Sequence, residues 1–585
     1  MCGFIGYISS KEHSKNSIYE KKFEKYFELL INRGPDFKIK KKIYSNNSLI
    51  NIGFLRLAIQ DLSSKSNQIF MNEKKILLFN GEIYNKHDLY REYLNNKILK
   101  TNSDTEVLFY LLDKYGSSII SKLSGIFSII FIDIESNDVF AIKDITGTKP
   151  LYYKIEDGNF LFSSEAWFLY SLSDKKINSK ALSFYFNYGF TPPGETIIET
   201  IKKIKPAEII KFNFNLKKLN SEMYFDFKKD KKKKLSDQES INQTIKDTIE
   251  MNLLSDAKIG TFLSGGVDSS TITILAKQLN NDVESFTTFY LPDKKFDKFN
   301  VDFEYSKRVA KDFNVKLNVK YVETEKEYYN DFLKVTSYFD EPVSNLNFMN
   351  SYWQSKMAKE NGAKVVLTGD GADELFCGYD RYKKSFIANK LSMFSFANNK
   401  IKKYNKLKDE EMINFFHSKF KIFDLKNLFY NIYDFQDDYK FEFLNNTNFN
   451  NNIDKINYFD TYYWLSSENN YKLDKTTMIN SVEARVPFQD IKLFKKLYYV
   501  NNFKKINLFD QKFLIKNLNI LPNYVKKRKK QGWFSPEKFF LDLFLNDLES
   551  TFFNEKKIKS QQIINFEFLK KLIDFYKSDS RAYKI

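Results

Sequence analysis

The hydrophobic rhythm of the chain changes near residue 230, and that change dictates two separately built cores. Before it, apolar residues come in short runs of two-residue period, punctuated by Gly, Asn and Asp. This pattern predicts strands over 2–8, 49–59, 75–80, 125–132, 139–143, 151–155 and 160–163. Past the change, a helix-like stretch leads into a buried strand over 258–263, a Gly-rich turn and a helix over 270–279. A strand over 285–289, helices over 304–313 and 350–361, and a strand over 364–368 continue the alternation. Such alternation predicts a parallel sheet with helices on both faces. A chain of 585 residues also exceeds what one core sustains. The expected division is a first domain over 1–205, a linker over 206–236 and a second domain over 237–585, its C-terminal part helical. The basic run from Lys228 to Lys234 is expected to be solvated linker.

Composition removes several chemistries. Hydrophobic residues make up 43% and aromatics 17% of the chain, enough to fill two cores. No apolar run approaches the ~18–20 residues of a membrane span, and no basic segment precedes an apolar one at the N-terminus. Neither a membrane nor secretion is therefore expected. Two cysteines, Cys2 and Cys377, exclude a disulfide framework and fit a reducing cytoplasm. The three histidines, His13, His87 and His417, have no ligand spacing, which disfavours zinc and a Ser-His-Asp triad. The net charge of +18 is spread among scattered lysines, so no nucleic-acid partner is expected.

What remains is chemistry built on a thiol, an amine, carboxylates and lysines. Cys2 directly follows Met1 and precedes Gly3-Phe4-Ile5-Gly6-Tyr7. Removal of Met1 leaves a residue that carries both a nucleophilic thiol and an α-amine titrating near pH ~7.7–8.0. Cleaving an amide through that thiol needs two donors for the oxyanion, here the Asn80 side chain and the Gly81 backbone. Holding an amino-acid substrate needs an anion and a cation, which Asp104 and Arg56 supply.

In the second half, Leu263-Ser264-Gly265-Gly266-Val267-Asp268-Ser269-Ser270 sits between a predicted strand and helix. Its glycines let backbone N–H groups close around an anion at a helix N-terminus. No lysine ends the loop, so it is not a P-loop. A hundred residues on, Thr368-Gly369-Asp370-Gly371-Ala372-Asp373-Glu374 follows another apolar strand. Carboxylates so close together require a cation or a cationic side chain to neutralise them.

Each motif resembles a known part. S-G-G-x-D-S is similar to the pyrophosphate loop of N-type ATP pyrophosphatases. Cys2, Arg33-Gly34-Pro35-Asp36, Arg56-Leu57, Asn80-Gly81-Glu82 and Ser103-Asp104-Thr105-Glu106 resemble the class II glutamine amidotransferase domain. Their order, with Lys143-Asp144, Lys149-Pro150-Leu151-Tyr152, Asp474-Lys475 and Val482-Glu483-Ala484-Arg485-Val486-Pro487-Phe488, resembles glutamine-hydrolysing asparagine synthetases across nearly the whole chain.

The resemblance implies a two-domain fold. An N-terminal α+β four-layer (αββα, Ntn-type) glutaminase precedes a C-terminal α/β parallel-sheet ATP-pyrophosphatase domain with a helical C-terminal part. It implies Cys2 as nucleophile and Arg56, Leu57, Asn80, Gly81, Glu82 and Asp104 as glutamine contacts. Leu263, Ser264, Gly265, Gly266, Asp268, Ser269, Ser270, Thr288, Thr368 and Gly369 are implied at ATP, with Asp268 and Asp373 on Mg²⁺. Asp370 is implied in adenylate formation, where some members carry glutamate, and Lys530, with Lys529 as rival, in neutralising charge. The implied reaction is ATP-dependent conversion of aspartate to asparagine through a β-aspartyl-AMP, with glutamine as nitrogen donor; a homodimer is the family expectation. The segment 340–347, where the acceptor is expected, lacks the Ser/Thr-rich sequence associated with bacterial members, leaving a sugar uronate as the alternative acceptor.

Overall fold

The structure is a computed structural model that describes residues 2–45, 48–95, 97–229, 231–290, 297–392, 409–418, 427–428, 449, 451–507, 512–529 and 537–578. Two six-stranded antiparallel sheets form the first half. One runs in the order Lys202–Lys203, Tyr152–Glu156, Asn159–Ser163, Gly3–Ser10, Ser48–Arg56, Phe37–Ser45; the other runs Lys218–Met223, Glu208–Asn213, Asp138–Lys143, Gly125–Asp133, Lys75–Ile83, Phe70–Met71. Alternate residues of each strand face opposite ways. Phe4, Ile8, Ile50, Ile52 and Phe54 therefore meet Ile76, Leu78, Ile130 and Ile132 in a core between the sheets. The outer faces are covered by helices. Tyr19, Phe23 and Phe27 of Asn16–Leu29 pack on Ile5, Tyr7 and Leu55; Val107, Leu108, Leu111 and Leu112 of Asp104–Tyr115 pack on Leu77, Phe79 and Ile129. The result is the expected αββα stack.

The linker expectation needs correction. Residues 208–223 form a hairpin that joins the second sheet, with Ile210 opposite Ala141 and Phe212 opposite Val139. Ile210 and Phe212 alternate toward one core while Ile209 is buried on the opposite face, and lysines and asparagines disguise the period. The basic run that follows is docked, not solvated throughout. Phe225 and Phe227 are buried against Tyr498, and Lys231, itself 2% exposed, lies 3.9 Å from the centroid of the Tyr498 ring.

The second half carries a five-stranded parallel sheet in the order Leu317–Val322, Glu284–Tyr290, Ile259–Phe262, Val365–Leu367, Glu483–Arg485. Numbered along this half, that order is third, second, first, fourth, fifth. The sequence direction of the sheet thus reverses between Ile259–Phe262 and Val365–Leu367, and ligands of open α/β sheets bind beyond the C-terminal ends at such a point. Ile259, Leu263, Val365 and Leu367 face one core with the helices Gln238–Asn252 and Val267–Leu279. Phe262, Phe286 and Val366 face the other with Met357 and Ala358 of Phe348–Glu360. A stretch of wide π-helical turns, Phe459–Asn469, leads into the helix Asn470–Met478; such turns are frequent at functional sites.

Candidate active site

Cys2 heads the central strand of the first sheet and is buried, its backbone N–H donating to Asn80 Oδ1 at 2.9 Å. Burial pushes the Cys2 thiol up, while the Leu57 backbone N–H and the Arg56 charge pull it back. Cys2, Arg56, Leu57, Gly81, Glu82 and Asp104 line one small pocket, so six of the residues implied at glutamine converge. Asn80 stands behind it. Its oxygen is spent on Cys2, and its Nδ2, 3.4 Å from Ser128 Oγ, is the donor left for an oxyanion. Gly81 is dictated by contact: a Cβ there would fall 2.0 Å from the Ile126 carbonyl oxygen. The predicted strand over 75–80 continues to Ile83, so Gly81 and Glu82 lie within it.

Two expected glutamine contacts are engaged elsewhere. Arg56 directs Nη1 to Ser63 O (3.1 Å) and Asn67 Oδ1 (2.8 Å), and Nη2 to the carbonyls of Gln60 (3.1 Å) and Asp61 (2.5 Å). All four Nη protons thus hold the loop that follows the strand, and the expected two-pronged grip on a carboxylate is not available in this arrangement. Glu82 accepts from Gln60 Nε2 (2.5 Å) and lies 3.4 Å from Arg485 of the other half. Burial raises its carboxyl well above the ordinary range, Asp104 adds to this and Arg485 opposes it. Asp104, first residue of its helix, accepts from the Ile83 N–H at 2.8 Å; burial raises it, with that N–H and Lys86 opposing.

The second set gathers at the reversal point of the parallel sheet. Gly265 has φ +68°, and a Cβ on it would meet Tyr305 Cβ at 2.4 Å. Ser264 and Ser269 join hydroxyls at 3.0 Å across the loop, and the buried Ser270 hydroxyl has no hydrogen-bond partner among the described residues. Gly266 precedes the first turn of Val267–Leu279, which begins three residues earlier than the sequence predicts. Gly369 lets the two motifs meet, since a Cβ there would lie 2.9 Å from Asp268 Cβ. Leu263 and Thr368 are buried beside them, and Thr288, one strand over, accepts from Gln354 Nε2 at 3.4 Å. An uncommitted hydroxyl and a glycine-lined helix start fit a polyphosphate.

Asp268 and Asp373 converge on one point, and a lysine stands there. Lys512 Nζ pairs with Asp268 and lies 2.6 Å from Asp373 Oδ1. Burial pushes this ammonium down, but the two carboxylates outweigh it and raise it. Two carboxylates aimed at one cation position, beside a phosphate loop, are a donor set that suits Mg²⁺ completed by nucleotide oxygens. Among the described residues no group of three or more His, Cys, Asp or Glu side chains forms a metal cage. Asp370 is pushed up by burial, with Thr368 and Lys472 opposing. Lys472 donates to Asn347 Oδ1 (2.8 Å) and Glu468 Oε1 (3.1 Å). Lys530 lies outside the described residues. Arg528, two residues before it, donates to the Ser264 carbonyl at 2.8 Å.

A buried ionic seam joins the halves. Arg33 donates to the Cys2 carbonyl (3.2 Å), Glu165 Oε1 (2.8 Å) and both oxygens of Asp474 (2.8 and 3.2 Å). Lys475 pairs with Glu165 and lies 2.9 Å from Asp340 Oδ2. Asp340 and Glu341, expected near the acceptor, belong to this seam: Asp340 accepts from the Ala166 N–H (2.6 Å) and Tyr471 OH (2.8 Å), Glu341 from Thr191 Oγ1 (2.5 Å). Lys512, Lys472, Gln60 and the pairing of Arg33 with Asp474 were not legible as functional from sequence. The R-G-P-D and D-K strings and the segment 340–347 marked part of the seam. An apolar cluster also crosses it, from Tyr84 and Ile126 to Phe262, Val366, Leu473, Val482 and Ala484.

Comparison with known proteins agrees with this layout. Residues 240–584 match the asparagine synthase family model, and residues 1–225 match the glutamine amidotransferase domain model. The chain is 28% identical to Bacillus subtilis asparagine synthetase (glutamine-hydrolyzing) 1 over 94% of this chain and 89% of that protein. It is 30% identical to a putative asparagine synthetase (glutamine-hydrolyzing) 2 of Methanocaldococcus jannaschii, over 66% of this chain and 78% of that one. An amidase of Gibberella zeae, chry2, is 26% identical over 66% and 61%.

Proposed function

The chain belongs to the asparagine synthase family, and on that premise we propose that it converts aspartate to asparagine through a β-aspartyl adenylate. It is a glutamine-hydrolysing ligase with ATP as a substrate. With Met1 removed, the Cys2 amine remains held by Asn80 Oδ1 and serves as base for the adjacent thiol. The thiolate adds to the glutamine carboxamide carbon while Asn80 Nδ2 and the Gly81 N–H face the oxyanion. The leaving nitrogen takes a proton and departs as ammonia. Water then hydrolyses the thioester to glutamate and restores Cys2. Asp104 faces the substrate α-ammonium; Arg56 contributes its charge, and Leu57 and Glu82 complete the wall.

In the other site the aspartate β-carboxylate attacks the α-phosphorus of ATP and pyrophosphate leaves. Ser264, Gly265, Gly266, Ser269 and Ser270 offer the phosphates N–H and hydroxyl donors, and Leu263, Thr288, Thr368 and Gly369 border the nucleotide. Asp268 and Asp373, which share Lys512 here, would hold Mg²⁺, and the ion would supply charge neutralisation on the phosphates. Asp370 and Lys472, with Lys530 assigned by resemblance, orient acceptor and adenylate. Ammonia displaces AMP and loses a proton. The apolar cluster from Tyr84 to Ala484 supports passage of uncharged ammonia between the sites. Aspartate is favoured as acceptor because the synthetase relatives span nearly the whole chain; no observation favours a uronate. We place the enzyme in the cytoplasm, without nucleic-acid or membrane partners and as a homodimer.

The observation that carries this reading is the convergence of Cys2, Arg56, Gly81, Glu82 and Asp104 on one pocket that meets the second half through the buried Glu82–Arg485 pair. Cys2→Ala is expected to abolish glutamine-dependent asparagine formation and leave ammonia-dependent formation within about twofold. Equal loss of both activities, or no AMP formation with aspartate and either nitrogen source, refutes it.

A further inference from the structure

A second pocket lies in the seam, apart from both sites. The loop after Asp138–Lys143 and the segment 193–206 form one wall, and Ser466, Ser467 and Tyr471 of the other half form the opposite one. It shares no lining residue with the Cys2 pocket. The cavity measures about 20 Å³, room for one small group with its remainder in the mouth.

Lys143 lines this pocket. It is 7% exposed, and among the described residues its Nζ has no hydrogen-bond or ion-pair partner. The eight other described lysines buried to 9% exposure or less each have an acceptor or a carboxylate. The nearest acid in sequence, Asp144, is committed to its own loop, accepting from Phe127 N (3.1 Å), Thr146 N (3.1 Å) and Thr148 N (3.0 Å). Lys203 lines the same cavity and is only loosely countered, 3.7 Å from Glu341 and 2.6 Å from Thr191 Oγ1. An ammonium on a buried side chain, poorly solvated and with no counter-ion, is costly, and the cost is relieved when an anion arrives. Burial above all brings the Lys143 ammonium down to about 8, with Lys203 adding to this and Asp144 opposing, so it still carries charge at neutral pH.

We propose that this pocket binds a small oxyanion, a carboxylate or phosphate head group, held by Lys143 and Lys203 with the Ser467 hydroxyl at its mouth. The prolines Pro150, Pro193 and Pro206 shape an apolar collar suited to a short carbon stem. The bound anion draws Lys203 from Glu341, next to Asp340 in the seam, and so touches the contact that joins the two halves.

The test is titration calorimetry on the full-length enzyme with sodium phosphate and sodium acetate as probes, against a bulky sulfonate at equal ionic strength. Binding of at least one probe is expected, weakened tenfold or more in Lys143→Met. Phosphate held by the nucleotide loop survives that change, so the difference between the proteins isolates this site. The tighter of the two probes identifies the head group. Lys143→Met removes an unpaired charge and should melt no lower than the parent; if it does not fold, Lys143→Gln takes its place. No binding of either probe, or affinities within twofold in the variant, overturns the proposal.

Discussion

Replacing Arg33 by methionine tests whether the ionic seam holds the halves together. Methionine fills much of the same buried volume but removes the cation between Cys2, Glu165 and Asp474. Glu165 keeps Lys475, whereas both oxygens of Asp474 lose the guanidinium. Breaking a buried pair from one side costs about 3–5 kcal/mol. Protonation offers an escape: for a carboxyl of reference value ~3.9 it costs about 1.4 kcal/mol per pH unit above that value, or about 4 kcal/mol at pH 7. The two figures agree, and the second adds a pH signature. At pH 5 the same escape costs about 1.5 kcal/mol, so the variant should lose far less there. Urea unfolding at both values measures this, and Arg33→Met with Asp474→Asn should recover most of the pH 7 loss, because the orphaned charge is gone. Glutamine consumed per asparagine formed should rise in the single variant. A loss below 1 kcal/mol at pH 7, an equal loss at pH 5, or a double variant no more stable than the single one refutes the reasoning.

Three further outcomes are expected. Gly81→Ala places a methyl 2.0 Å from the Ile126 oxygen; it should cost about 1–3 kcal/mol and slow glutamine hydrolysis about 100–1000-fold with ammonia-dependent synthesis retained, as steady-state assays with each donor would read. Asp373→Asn should abolish ATP–pyrophosphate exchange with aspartate, and retained exchange removes its assigned role. Lys231 is lowered to about 7 by burial, Lys505 adding to this. Its folded value lies below its unfolded one, so stability is fullest above ~10.4 and declines as pH falls toward 7, levelling off below. Lys231→Met should therefore gain on the parent as pH drops from 10 to 7, and a constant difference in melting temperature across that range contradicts this.

Much of this layout was legible in sequence where burial imposes a clean period. The mostly buried Gly3–Ser10, Gly125–Asp133 and Glu284–Tyr290 lie within two residues of their predicted ends. Phe37–Ser45 was missed because it is an edge strand whose alternate lysines face solvent. Lys38, Lys40 and Lys42 pair with Glu28, Glu24 and Glu20 on the neighbouring helix, which also guards the edge against stray pairing. The three-residue Glu483–Arg485 is too short to show a period at all. For the sites, glycine-rich strings betray themselves because backbone contact tolerates nothing larger, as at Gly81 and Gly265. Lys512 leaves no such trace: it is one lysine among 92 basic residues, and only folding brings it to carboxylates about 140 and 240 positions away.

Under the proposed function, that lysine bears on how the corner it shares with Asp268 and Asp373 stays selective while it waits. An acidic corner open to the cell is a trap for any hard divalent ion, useful or not. Here the corner comes with a tethered occupant at high effective concentration, so a lone metal must evict it without help. A polyphosphate arriving with its own metal offers the ammonium new anions in exchange. Under the proposed function, the corner would favour the pair entering as one unit over an ion that arrives without a nucleotide.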